Sequence, residues 1–220
     1  MSLRVLVIGA GRMGRVHLEA MRSSDHVDAV AVVEPFAAAR EQLAGSGLEL
    51  YQSLDEALAA GGFDAALIAA PSGLHRELVD ALLTAGVPTL CEKPCGLKST
   101  DTQYAADRAA TTGTQLQIGY WRRFVPELRA LRDEIASGGL GEIALIQAWQ
   151  WDGEPPAAAF RRTSGGPLLD MGVHEFDMVR WLTGQDIALH AVVDSEVNSV
   201  EPVAGDPESV LATGRLPGGG

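Results

Sequence analysis

Apolar residues arrive along the first half of this chain in two alternating rhythms, short unbroken runs and helical stripes. Leu3 to Ile8 is a nearly continuous apolar run, which predicts a strand buried on both faces. Ala29 to Val33, Asp64 to Ala70, Pro88 to Cys91 and Gln115 to Ile118 read as further strands. Between them Met13 to Met21, Phe36 to Leu43, Ser53 to Ala59, Leu74 to Ala85 and Ser99 to Ala110 read as helices. The Ser53 helix opens on a serine N-cap with Glu56 at the capping-box position. Strand, helix and strand in regular alternation predict a parallel, doubly wound sheet with right-handed crossovers.

After about Gly119 the rhythm changes. Pro126 to Ala136 predicts a helix, and Glu142 to Trp151 alternates like a long strand. Residues 152 to 167 are rich in Pro, Ala and Gly and read as a loop. A helix follows through Asp170 and His174, ending near Thr183-Gly184, and Ile187 to Val197 and Val210 to Leu216 read as strands. This α+β pattern predicts a second domain, with residues 1–120 forming the first and 121–220 the second. No internal repeat is visible.

Composition narrows the function classes. At 220 residues with 46% hydrophobic content, the chain has the makings of folded domains. Seventeen basic against 29 acidic side chains give a net charge of −12, which disfavours nucleic acid or an anionic membrane as partner. No apolar run is long enough to span a bilayer. The run from Val5 to Ile8 leads straight into a glycine loop, so it reads as a strand and not as a secretory segment. Two cysteines, Cys91 and Cys95, are too few for a disulfide framework, and a reducing cytoplasm is the expected location. Their C-x-x-x-C spacing lacks a second ligand pair, so they are expected to pack rather than bind metal.

The chemistry concentrates at loops. Gly9-Ala10-Gly11-Arg12-Met13-Gly14 follows the first strand and opens the first helix. Glycines there permit a tight turn and close approach of a pyrophosphate, and the helix N-terminus offers N–H groups and a positive dipole end. Glu34 ends the second strand twenty residues after Gly14. A carboxylate there bonds a ribose 2′-OH and repels a 2′-phosphate, which favours NAD. Arg12 and Arg40 keep NADP open. The loops Ala70-Pro71-Ser72-Gly73-Leu74-His75 and Cys91-Glu92-Lys93-Pro94 leave the carboxyl ends of strands, where a parallel sheet gathers its ligand. Lys93 there could bond a substrate oxygen and stabilise charge developing on it, although taken alone it reads better as a solvated surface residue. His17 and His26 read as packing residues. Downstream, Gly165-Gly166-Pro167 precedes Asp170 and His174, four apart and expected on one helical face. A carboxylate beside an imidazole is a proton-transfer pair. The two glycines would let a ligand approach the backbone.

Taken in order, the glycine loop, Pro71-Ser72-x-x-His75, Glu92-Lys93-Pro94, Gly119-Tyr120-Trp121-Arg122-Arg123-Phe124 and Gly165-Gly166 through Asp177 resemble the Gfo/Idh/MocA oxidoreductases, over residues 3 to 184. The stretch from Gly172 to Asp177 looks most like the inositol 2-dehydrogenase branch. The resemblance implies a fold of class α/β: an N-terminal Rossmann sheet, then a truncated α+β domain with an open, mainly antiparallel sheet. It implies Lys93, Asp170 and His174 as the catalytic group and NAD as cofactor. Gly9, Ala10, Gly11, Arg12, Met13, Gly14, Glu34, Pro71, Ser72, His75, Glu92 and Lys93 would line the cofactor. Tyr120, Arg122, Trp151, Asp152 and Arg162 are the chosen substrate-side residues, with Arg123, Trp149 and Arg161 beside them. Trp149 and Trp151 share a strand face and equally suit a core. The implied reaction moves hydride from a secondary alcohol of an inositol-like polyol to the nicotinamide. An acidic or phosphorylated sugar substrate and a non-catalytic NAD(P)- and sugar-binding sensor are the alternatives. Such proteins commonly build homo-oligomers, dimers or tetramers, through the second sheet. Roughly a third of the usual chain is expected to be missing at the C-terminus.

Overall fold

The computed structural model describes residues 2–154, 156–195, 203 and 206–218. The chain divides into two compact units, residues 1–119 and 120–220.

In the first unit six strands lie in the order β3-β2-β1-β4-β5-β6, every neighbouring pair parallel. They are β1 (Leu3–Ile8), β2 (Val27–Val33), β3 (Glu49–Tyr51), β4 (Ala65–Ile68), β5 (Thr89–Cys91) and β6 (Leu116–Ile118). The helices between them are α1 (Arg12–Arg22), α2 (Ala37–Glu41), α3 (Leu54–Ala60), α4 (His75–Thr84) and α5 (Ser99–Thr112). The apolar runs work as predicted because alternate residues feed opposite faces. Leu6 and Ile8 join Leu82 and Leu83 of α4 in one core, while Val5 and Val7 join Leu18 of α1 in the other. Strand β3 is the one element of this sheet that the sequence pattern misses. Three residues are too few to show a period, and pairing with the edge of β2 makes it a strand. At α3 Ser53 Oγ accepts the Glu56 N–H at 3.3 Å, while the Glu56 carboxylate accepts from Gln52 N–H, one residue earlier than an ideal capping box.

The second unit holds α6 (Pro126–Ala136), α7 (Ala158–Ser164), α8 (Val173–Thr183) and an antiparallel pair, β7 (Ala188–Ser195) and β8 (Ser209–Arg215). Two expectations are corrected. Residues 142–151 alternate like a strand but form none. Alternation makes a strand only where a neighbouring edge takes up its N–H and C=O groups, and β7 and β8 pair only with each other among the described residues. The stretch read as a loop contains α7, nucleated by Ala157-Ala158-Ala159, strong helix formers. Of the predicted strand Ile187 to Val197, the last two residues lie outside the described ones. No helix among the described residues is long and apolar enough to cross a membrane.

Candidate active site

The glycine loop is shaped by two close approaches. A Cβ on Gly14 would stand 2.0 Å from the carbonyl oxygen of Gly9, and one on Gly9 would stand 2.8 Å from the carbonyl oxygen of Ala69. Backbone atoms cannot yield as a side chain would, so both positions require glycine. Gly11 differs: a Cβ there would meet nothing within 4 Å. It N-caps α1 without a side-chain cap, and the first turn carries no acidic residue. The helix start therefore presents open space, N–H groups and a positive dipole end, with no acidic residue in its own first turn. This cradle fits the pyrophosphate of a dinucleotide.

Glu34 is 6% exposed. One carboxylate oxygen accepts the Ala10 N–H at 2.9 Å and the other the Phe36 N–H at 3.0 Å. The group predicted to meet a ribose is thus braced against the glycine loop itself. Arg40 donates to the main-chain oxygen of Glu34 at 2.5 Å. Arg12 and Met13, at the start of α1, are exposed.

Pro71 precedes a single 3-10 turn, Ser72–Leu74, which runs into α4. His75 is 1% exposed, with Nδ1 2.7 Å from the Pro94 carbonyl oxygen and Nε2 2.8 Å from that of Ala70. Its ring ties the Pro71 loop to the Lys93-Pro94 turn, so its contacts are structural. The peptide between Lys93 and Pro94 is cis. Lys93 is half-buried. Beside it the Glu92 carboxylate reaches His17 Nε2 at 2.7 Å and accepts the Lys93 N–H at 3.2 Å. Burial alone would raise the Glu92 pKa, but the hydrogen bond and charge of His17, with the amide and charge of Lys93, hold it below the usual value. Cys91 and Cys95 are buried and free. The Cys91 thiol is pushed up, first by its hydrogen bond with Cys95 and then by burial.

In the second unit a 3-10 turn, Trp121–Phe124, carries the two arginines. Arg122 meets both oxygens of Glu175 at 2.9 Å and Gln150 at 2.8 Å. Arg123 bonds Asp177 through two nitrogens at 2.9 and 2.5 Å, and this partner holds its guanidinium pKa above the usual value. The Arg122 fork is thus engaged by Glu175 of α8 and by Gln150, which anchors the residue predicted to face a substrate. His174 lies on α8, 7% exposed, with the Trp121 ring edge-on at a centroid distance of 6.5 Å.

Asp170 and His174 do not share one regular helix. Asp170 sits in a π-helical turn, Leu168–Gly172, and His174 in the α-helical stretch that follows. Such a wide turn marks functional positions in many helices. A Cβ on Gly172, the last residue of this turn, would stand 3.2 Å from Leu168 Cδ2. Gly165 and Gly166 both take φ +85°, a left-handed backbone that ends α7 and turns the chain toward Pro167. A cleft of about 1,110 Å³ is lined by Trp151, Asp152 and Asp170 among others. Trp151 and Asp152 are exposed, as is Arg162, and Tyr120 lies under the Arg123 guanidinium at 5.6 Å. Arg161 is drawn into a buried pair with Asp206 at 2.6 Å. Among the described residues no group of three or more His, Cys, Asp or Glu could hold a metal ion.

Sequence reading missed His17, Trp121, Gln150 and Glu175 as members of these constellations. His17 lies 75 residues from its partner, a distance no local pattern spans. The arginine pair had a visible signal, because Arg122-Arg123 finds its complement in the Glu175-x-Asp177 spacing on one helix.

A parallel sheet whose first crossover opens on a glycine-capped helix start is the arrangement of a dinucleotide-binding protein. Residues 3–120 match the model of an oxidoreductase family with an NAD-binding Rossmann fold, and residues 128–220 match the GFO/IDH/MocA C-terminal domain. The chain belongs to the Gfo/Idh/MocA family. It is 48% identical over 207 residues to the rhizopine catabolism protein MocA of Rhizobium meliloti, covering 94% of this chain and 65% of that one. It is 33% identical over 212 residues to an inositol 2-dehydrogenase of Rhizobium meliloti (strain 1021), covering 96% and 64%. The scyllo-inositol dehydrogenase of Lactobacillus casei, solved with NAD(H) and scyllo-inositol, superposes with a TM-score of 0.86 at 28% identity, covering 99% of this chain and 67% of that one. The chain thus spans just under two thirds of the length of these curated relatives.

Proposed function

We propose that this chain serves an NAD-dependent dehydrogenase that oxidises a secondary alcohol of an inositol-like polyol. The observation that carries the reading is the pairing, in one chain, of the open glycine cradle at Gly11 with a buried imidazole at His174 on an ion-paired helix. The similarity to inositol dehydrogenases supports the substrate class. The first glycines and the start of α1 hold the pyrophosphate. Glu34 disfavours a 2′-phosphate through its charge, which supports NAD over NADP. When bound, the nicotinamide supplies the hydride acceptor.

The protein's part is to manage the alcohol proton and the charge on its oxygen. His174 takes the hydroxyl proton at an imidazole nitrogen as the C–H bond breaks. Asp170, four residues earlier, favours the imidazolium that results. Lys93 donates to the same oxygen and stabilises the developing negative charge. Asp152 and Trp151 supply a polar contact and an apolar face to the ring.

The test is NADH formation from NAD⁺ with a panel of myo-inositol, scyllo-inositol, a rhizopine, glucose and a sugar acid. Turnover with a cyclic polyol is expected, and His174→Ala should lower it about 100- to 10,000-fold. Silence across the panel from folded protein that still binds NAD⁺ would reject the reading in favour of a sensor. Turnover confined to the sugar acid would redirect it to an acidic substrate.

A further inference from the structure

Lys93 has a neighbour whose chemistry is otherwise unused. His17 sits three residues after the last glycine of the loop, on α1, and its Nε2 lies 2.7 Å from Glu92 Oε1. The other carboxylate oxygen of Glu92 accepts the main-chain N–H of Lys93 at 3.2 Å. The Glu92 N–H donates to the Ile68 carbonyl at 2.9 Å, which pins the backbone beneath. Opposite, Gly119 leaves the carboxyl group its space: a Cβ there would stand 3.3 Å from the carboxyl carbon. The two side chains are 23% and 15% exposed.

A carboxylate with one oxygen on a helix and the other on the next peptide cannot rotate without giving up a hydrogen bond. Both bonds are charge-assisted, because burial is outweighed by His17 and Lys93 and the group stays ionised. On the far side of the same turn, His75 holds the Pro94 carbonyl. The Glu92-Lys93-Pro94 turn is thus gripped at both ends, and one grip leads directly to the helix whose N-terminus forms the phosphate cradle.

We propose that His17 and Glu92 form a positioning pair: they fix the turn bearing Lys93 relative to α1 and so aim its amine, while His17 touches neither substrate nor cofactor. The inference rests on the proposed role of Lys93. Its signature is a loss of turnover without a matching loss of cofactor affinity, since a reacting group misplaced by about 1 Å costs on the order of 100-fold.

The test uses an accident of composition. Lys93 and Lys98 are the two lysines in the chain, so reductive ¹³C-dimethylation gives two side-chain amine signals, assigned with Lys98→Arg. In His17→Ala the Lys93 methyl signal should shift while that of Lys98 stays. His17→Gln, whose amide N–H donates to Glu92, should restore it. On unlabelled protein, NADH formation from NAD⁺ and myo-inositol should fall about 10- to 100-fold in kcat in His17→Ala, with NAD⁺ affinity within about threefold. If His17→Ala fails to fold, His17→Leu fills the space without a nitrogen and is read in the same way. An unmoved Lys93 signal in a folded variant overturns the proposal. So does weakened NAD⁺ binding with unchanged kcat, which would place His17 in the cofactor cradle. If the parent chain forms no NADH but His17→Ala still moves the Lys93 signal, the pair stands and the dehydrogenase reading fails.

Discussion

The two units use similar residues and reach different degrees of burial. In the first, Leu6, Val7, Val32, Ile68, Leu82 and Leu83 are all fully enclosed. In the second, the buried apolar residues among those described are Ala158, Met178, Val203 and Leu216, while Leu145, Trp149, Trp151, Val193 and Leu211 are exposed. The difference lies in what each segment can find nearby. A strand-helix-strand unit brings its own covering, because the crossover lays a helix over the strands it joins. The second unit instead relies on sheet neighbours, and its strand-like segment 142–151 has none among the described residues. Hydrophobic pattern proposes an element, and a partner edge decides it.

The contrast breaks most easily in the first core. Leu82→Ala should cost about 2–5 kcal/mol, the range for emptying a fully buried leucine site, whereas Leu211→Ala on exposed β8 should stay within about 0.5 kcal/mol. All four tryptophans, at 121, 149, 151 and 181, lie in the second unit. Urea unfolding read by tryptophan fluorescence therefore follows that unit, and amide exchange in β1 and β4 follows the first. Equal effects of the two substitutions would erase the distinction.

A smaller loss is expected where the second unit is held by charge. Arg123→Ala leaves the carboxylate of Asp177 buried without its partner, at a cost of about 1–3 kcal/mol. The tryptophan-detected transition should move and amide exchange in β1 should not. A movement in both would show that the units unfold together.

The smallest effect belongs to acid. The Glu92 carboxyl is held below its reference value of 4.5, so its contribution is complete above that pH and fades as pH falls through the lower folded value. The urea midpoint of the first unit should therefore drop as pH falls below 4.5, and Glu92→Gln should flatten that part of the curve. An unchanged slope in the variant would show that other carboxylates govern it.

Sequence alone reached most of the first unit because its evidence is local. The apolar run at Leu3–Ile8, the glycine spacing and the Ser53 cap each fit within a window of a few residues. The site was legible only residue by residue. Lys93, Asp170 and His174 could be proposed by type and place, but the π-helical turn that separates Asp170 from His174 leaves no mark in the spacing of the two residues. The partner of Arg122 was equally hidden, since Glu175, 2.9 Å away, lies 53 residues along the chain.

The bond from Arg40 to the main-chain oxygen of residue 34 bears on coenzyme redesign. A tether to the backbone is indifferent to the side chain beside it. Replacing Glu34 by serine would withdraw one negative charge and the brace on Ala10 and Phe36, while the acceptor for Arg40 remains in the backbone. A cation therefore stays beside residue 34 whatever side chain stands there, and a change of charge at that position is a direct test of how NAD⁺ and NADP⁺ are told apart.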